Sequence, residues 1–156
     1  MQITLLTVGK CKEACFRTGA EIYAGRLKHY AALKQVAVRE ERAGSKIPVP
    51  EILSKEGERL LKALPAGAFV VVLDPAGQPC ASEALSKRLS KLGLQGKNRI
   101  AFIIGGAFGL APEVLHRAHW RMSLSPMTFP HELARLILLE QLYRAFTILR
   151  GEQYHK

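Results

Sequence analysis

Three stretches of this 156-residue chain combine residue types that can do chemistry. In Gly105-Gly106-Ala107-Phe108-Gly109 the glycines permit close backbone approach and positive φ. By itself this is either a tight turn or a phosphate-binding turn. Its G-G-x-x-G spacing departs from the G-x-G-x-x-G of dinucleotide loops, and Leu124-Ser125-Pro126 stands where an acidic partner would follow. The second stretch, Leu124-Ser125-Pro126-Met127-Thr128-Phe129-Pro130-His131, brackets three residues with prolines. Such a stiff loop presents backbone groups and can grip an adenine by main-chain hydrogen bonds and apolar contact. His131 falls at a helix start, where its ring can cap, touch a ligand or face solvent. The third stretch is the end of the chain. Tyr154 can stack on a base or donate a hydrogen bond, and a histidine such as His155 can accept a proton near neutrality, while by residue type alone a terminal Tyr-His is ordinarily disordered and idle. Arg144 lies one helical turn after Glu140, placed for a structural ion pair or for stabilising developing oxyanion charge.

These stretches need elements to hold them. Ile3–Val8 reads as a strand, followed by a helix from about Cys11 to Leu33 and a strand at Val36–Arg39. Residues 41–50 carry Gly, Ser and two prolines and read as a loop. Glu51–Leu64 is an amphipathic helix. Phe69–Leu73 and Ile100–Ile104 are apolar at every position, the pattern of strands covered on both faces. Asp74-Pro75-Ala76-Gly77 turns, and a helix runs from Ser82 to about Leu92. A short helix opens near Pro112, Met122–Leu124 forms a short strand, and a last helix spans His131 to Arg150. Alternating strands and helices with continuous apolar strands predict an α/β fold on a mostly parallel sheet, in one domain over 1–156. Ligands in such sheets bind beyond the carboxyl ends of strands, where Leu73–Gly77, Gly105–Gly109 and Leu124–Phe129 all lie.

The last helix is apolar around its whole circumference, from Leu133 and Leu136 through Leu142 and Phe146 to Leu149. It must be covered on more than one side, and a second subunit is the economical cover, so a homodimer is expected. The formal charge of +10 draws polyanions at long range, with RNA, DNA and anionic membrane as candidates. No apolar run approaches the roughly 20 residues that a bilayer requires. No basic leader opens the chain, so a cytoplasmic protein without membrane attachment is expected. Cys11, Cys15 and Cys80 form no paired ligand motif, which argues for reduced thiols and against a metal site, with Cys11 and Cys15 one turn apart on the first helix. On charge alone a non-enzymatic ribosome-binding factor stays open, and on the glycine loop alone a nucleotide-dependent enzyme does.

Four motifs together are more specific. Phe102–Leu110, Leu124–His131, Glu140-Gln141-Leu142-Tyr143-Arg144-Ala145 and the ending Arg150-Gly151-Glu152-Gln153-Tyr154-His155-Lys156 occur in this order. With them stand Val8-Gly9-Lys10 at the opening strand and Lys55-Glu56-Gly57-Glu58 before the third. This pattern resembles the RlmH family of the SPOUT superfamily, over the whole chain. The resemblance implies a parallel α/β sheet whose C-terminal part threads a deep trefoil knot, and a homodimer. It implies S-adenosyl-L-methionine as cofactor, held by Leu73, Gly105, Leu124, Ser125, Pro126, Met127, Thr128 and Phe129. It implies methylation at N3 of a pseudouridine in 23S ribosomal RNA, with His155, Tyr154 and Arg144 as the catalytic set. A chain this small lacks an appended RNA module, so recognition by shape within an assembled ribosomal particle is expected.

Overall fold

The structure, a computed structural model, describes residues 1–41 and 47–155, with the side chain of His155 outside the described part. Five strands, β1 (Gln2–Val8), β2 (Ala32–Val38), β3 (Phe69–Pro79), β4 (Arg99–Ile104) and β5 (Trp120–Ser123), form one sheet. Their order is β2-β1-β4-β3-β5, and every pairing is parallel. Helices α1 (Ala14–Leu27), α3 (Ser82–Leu94) and α5 (His131–Arg150) share a core with one face of the sheet, through Leu5, Val71 and Phe102. Helices α2 (Val49–Ala63) and α4 (Pro112–Arg117) cover the other face, over Leu6, Val72 and Ile103. Alternate residues of the central strands therefore point into two different cores, which is why those strands are apolar throughout. None of the described helices is long and apolar enough to cross a membrane.

Several expected boundaries shift for physical reasons. The first helix begins at Ala14, so Cys11 precedes it and does not share a turn with Cys15. Its thiol instead donates to Glu132 at 3.2 Å. The second strand starts at Ala32 rather than Val36, and the helix before it ends at Leu27. β2 is an edge strand with an exposed or half-buried start, so Leu33-Lys34-Gln35 lacks the continuous apolar signature of the interior strands. Of the expected loop at 41–50, residues 42–46 lie outside the described part, and Val49 and Pro50 already belong to α2. β3 continues past its expected turn. It bulges out between Leu73 and Gln78, both of which register with Met122.

Helix α5 lies between α1 and α3. Ser86 Oγ donates to the Ala145 carbonyl at 2.9 Å, and Gly19 of α1 lies where a Cβ would come within 3.0 Å of Leu136. Three neighbours within the chain, α1, α3 and the sheet, thus cover much of the all-round apolar surface. Leu133, Ile137, Glu140 and Arg144, spaced at helical repeat, stay half-buried.

Candidate active site

The carboxyl ends of β3, β4 and β5 open onto a cavity of about 510 Å³. Leu73, Gly105, Leu124, Ser125, Met127, Thr128 and Phe129 all border it, so seven of the eight residues expected to hold a cofactor come together. Pro126 is exposed and does not border it. Each wall has its own cause. After Leu73 the β3 bulge is fastened by Asp74, whose Oδ1 accepts the Ala76 N–H and whose Oδ2 accepts Arg121 Nε, both at 2.9 Å. Gly77 must be glycine there, since a Cβ would stand 2.8 Å from the Arg121 backbone.

After β4 the chain reverses on itself. Gly109 has φ of 90° and donates its N–H to the Gly106 carbonyl at 3.1 Å. A Cβ on Gly105 would lie 2.3 Å from the Gly109 carbonyl oxygen. The glycines therefore serve a tight turn, and one amide that a phosphate could have used is consumed inside it. The third wall is shaped by serines. Ser123 Oγ donates to the Ser125 carbonyl at 2.9 Å, and Ser125 Oγ accepts the Met127 N–H at 3.0 Å. Met127 is 71% exposed at the rim.

His131 borders the cavity and makes no capping bond, because the N-cap position of α5 is Pro130. Of its three open roles, capping drops out. The residue that sequence reasoning missed here is Glu132. Its nearly buried carboxylate accepts the Lys12 N–H at 3.1 Å, the Glu13 N–H at 2.9 Å and the Cys11 thiol. Burial alone would raise its pKa, but the two amides and the thiol outweigh that and hold it below the usual range. Glu132 thereby fixes the start of α5, and with it one wall of the cavity, to the loop after β1. On the far side of the glycine turn lies Glu56, also buried, whose Oε1 accepts the Glu41 N–H at 2.9 Å. Its neighbour Gly57 lets α2 close on α4, since a Cβ would come 2.7 Å from Ala111 Cβ. Lys55-Glu56-Gly57-Glu58 is thus the backing of the turn.

The other expected residues gather elsewhere. Arg144 donates through Nε and Nη2 to Glu140 Oε1, at 2.9 and 2.6 Å. Gly151, in the left-handed conformation, ends α5 and turns the tail back, with the Glu152 N–H on the Thr147 carbonyl at 2.9 Å. A short 3₁₀ turn, Gln153–His155, then lays Tyr154 beside Tyr143, ring centroids 4.6 Å apart, with the Arg144 guanidinium 4.8 Å from the Tyr154 ring. Glu140 stands nine residues beyond His131, or about 14 Å along the helix. The tail of a chain and the cavity of the same chain are therefore separate places.

With this geometry in hand, relatives are informative. The sequence model described as "Predicted SPOUT methyltransferase" matches residues 1–155. The chain belongs to the SPOUT methyltransferase family. Proteins called ribosomal RNA large subunit methyltransferase H from Alkaliphilus oremlandii and Shouchella clausii are each 45% identical to it, and that from Halothermothrix orenii 46%. These alignments cover 100% of both chains. The crystal structure of a probable methyltransferase from Bordetella pertussis superposes with a TM-score of 0.56 over 93% of this chain and 96% of that one. At 15% identity that likeness speaks for the fold alone. In open α/β sheets the carboxyl edge of the strands, where this cavity lies, is where ligands bind.

Proposed function

We propose that this protein is an S-adenosylmethionine-dependent methyltransferase of large-subunit ribosomal RNA, acting at N3 of a pseudouridine in the 23S molecule. One observation carries the reading. In a SPOUT chain related over its full length to ribosomal RNA large subunit methyltransferases, three strand-end loops enclose a mainly apolar space of about 510 Å³. That volume is within the roughly 300–1,000 Å³ of small-molecule sites. The residues fit a nucleoside-sized donor. Leu73, Leu124 and Phe129 supply apolar walls, and glycine at 105 lets the chain reverse tightly enough for the turn to border the cavity. The one carboxylate at the border among the described residues, Asp74, is already bonded to Arg121.

When bound, the sulfonium supplies an electrophilic methyl group. The chain's task is alignment and removal of the N3 proton. His155 is the proton acceptor of this reading, and Arg144 is the cation that offsets charge spreading onto the flanking carbonyl oxygens. Because about 14 Å of helix separates Glu140 from the cavity wall, the tail serves the cavity of a second copy. A two-fold axis near the middle of α5 would place the tail of each subunit at the other's cavity, and the half-buried strip Leu133, Ile137, Glu140 and Arg144 supports such a homodimer.

The C-terminal part is proposed to thread a trefoil knot. In support, the chain leaves β5 at one edge of the sheet, borders the cavity with residues 124–130 and starts α5 against the loop after β1. The net charge of +10 suits phosphate contacts on a ribosomal particle, and a ribosomal substrate supports a cytoplasmic enzyme.

Calorimetric titration tests the reading. S-adenosylmethionine should bind with a micromolar Kd, while ATP and NAD give no heat. Binding of either nucleotide in place of the methyl donor would overturn it. Mass spectrometry of 23S RNA from cells lacking the protein should then show one pseudouridine without its methyl group.

A further inference from the structure

The tail does not merely end near Arg144; it is bolted to three helices. Glu140 is the hub. Its Oε1 accepts both Arg144 nitrogens and the Tyr154 hydroxyl, the last at 3.1 Å, and its Oε2 accepts Gln141 Nε2 at 2.6 Å. Gln141 Oε1 in turn accepts Ser82 Oγ of α3 at 2.6 Å. On the other side the Tyr154 oxygen lies 3.2 Å from the Tyr23 hydroxyl of α1. A carboxylate can only accept, so the single Tyr154 proton goes to Glu140 and Tyr23 donates to Tyr154. Tyr23 itself packs at a tilt against Tyr143, centroids 6.1 Å apart, and Tyr30 binds the Glu152 carboxylate just before the 3₁₀ turn.

We propose that Tyr23 and Glu140 are positioning residues of the methyl transfer: they fix the tail through Tyr154, so that the 3₁₀ turn is ordered before a second subunit's cavity or RNA reaches it. This rests on the reading above, in which the tail works across the dimer. The hydroxyl of Tyr154 and a face of its ring are both engaged inside its own subunit. Burial, and then its bond to the Glu140 carboxylate, hold its pKa well above the ordinary phenol value, so it stays a neutral donor. Its part is that of a bolt. A tail ordered in advance avoids the entropic cost of ordering in each turnover, and a misplacement of about 1 Å can cost on the order of a hundredfold in rate.

The test uses the full-length protein, S-adenosylmethionine, and large ribosomal subunits from cells lacking the enzyme. Tyr23→Phe keeps the ring and removes one hydroxyl; Tyr154→Phe breaks the bolt itself; deletion of residues 153–156 removes the tail. Both tyrosine variants should lower kcat by about tenfold or more. Donor Kd and the KM for ribosomal subunits should stay within about twofold, and carboxypeptidase should release the C-terminal residues faster. A Tyr23→Phe enzyme with normal kcat and normal carboxypeptidase resistance, beside an inactive deletion, overturns the anchor and leaves the tail reading standing. Full activity of the deletion overturns the tail reading instead. A Tyr154→Phe enzyme as inactive as the deletion, with Tyr23→Phe unaffected, makes Tyr154 chemical rather than positional and also overturns the anchor.

Discussion

The cavity and the tail anchor sit at opposite stretches of one helix and are built from opposite materials. Backbone shapes the cavity: a glycine turn, a bulge fastened by Asp74, a proline-bracketed loop bent by two serine hydroxyls. Side chains make the anchor, with one carboxylate at its centre and tyrosines from α1 and the tail around it. A site that must accept a whole small molecule is formed by taking side chains away. A site that must hold a flexible tail in one pose is formed by spending several polar side chains on it. It follows that the cavity is sensitive to added atoms and the anchor to removed ones.

The sharpest way to break this comparison is to damage one region in each subunit. Gly105→Ala places a methyl where the Gly109 carbonyl oxygen already stands, 2.3 Å away, and should abolish both donor binding and activity. Deleting residues 153–156 should abolish activity alone, a loss of about a hundredfold or more for a missing proton acceptor. Mixed and refolded in equal amounts, the two dead proteins should recover about a quarter of wild-type activity per subunit. Half of the dimers are then mixed, and one site of each mixed dimer joins an intact cavity to an intact tail. If cavity and tail act within one chain, the mixture stays dead.

A smaller effect concerns donor affinity. Thr128→Ala removes a few exposed atoms at the rim and should weaken S-adenosylmethionine binding by no more than about threefold, whereas Gly105→Ala should weaken it beyond detection. Calorimetry on the two variants checks the asymmetry. Comparable losses would mean that side-chain contacts, not backbone shape, define the cavity.

What was legible in the sequence follows the same division. Glycine and proline punctuate the chain at 105–109 and 124–130, and continuous apolar runs mark β3 and β4, so three loops at one sheet edge could be named from residue order. The start and end of α5 were equally plain, from Pro130 before it and Gly151 after it. The anchor was not legible as a whole. Glu140 and Arg144 show themselves by helical spacing, but Tyr23 lies 131 residues from Tyr154 and carries no local mark of its role. Glu132 was missed for the same reason, since its partners are backbone amides some 120 residues away. Edge strand β2 was found late because half its residues face solvent and obey no apolar period.

Glu132 gives the last test, one of stability rather than turnover. Its carboxylate joins the first turn of α5 to the Lys12 and Glu13 amides, so Glu132→Gln weakens charge-assisted bonds that tie the cavity wall to the loop after β1. A loss of about 1–3 kcal/mol is expected near neutral pH, or a fall in Tm of roughly 3–9 °C for a chain of this size. The sign with pH is fixed by the depressed pKa. An unfolded carboxyl of ordinary pKa, about 4.3, takes up its proton before the folded one does. The wild-type advantage over Glu132→Gln is therefore complete above that value and shrinks as pH falls through the lower folded pKa. Thermal unfolding of both proteins between about pH 7 and pH 3 should show the two Tm values converging. An advantage that grows on acidification would mean that Glu132 enters the folded state protonated, and that the wall beside the cavity is held by something other than its charge.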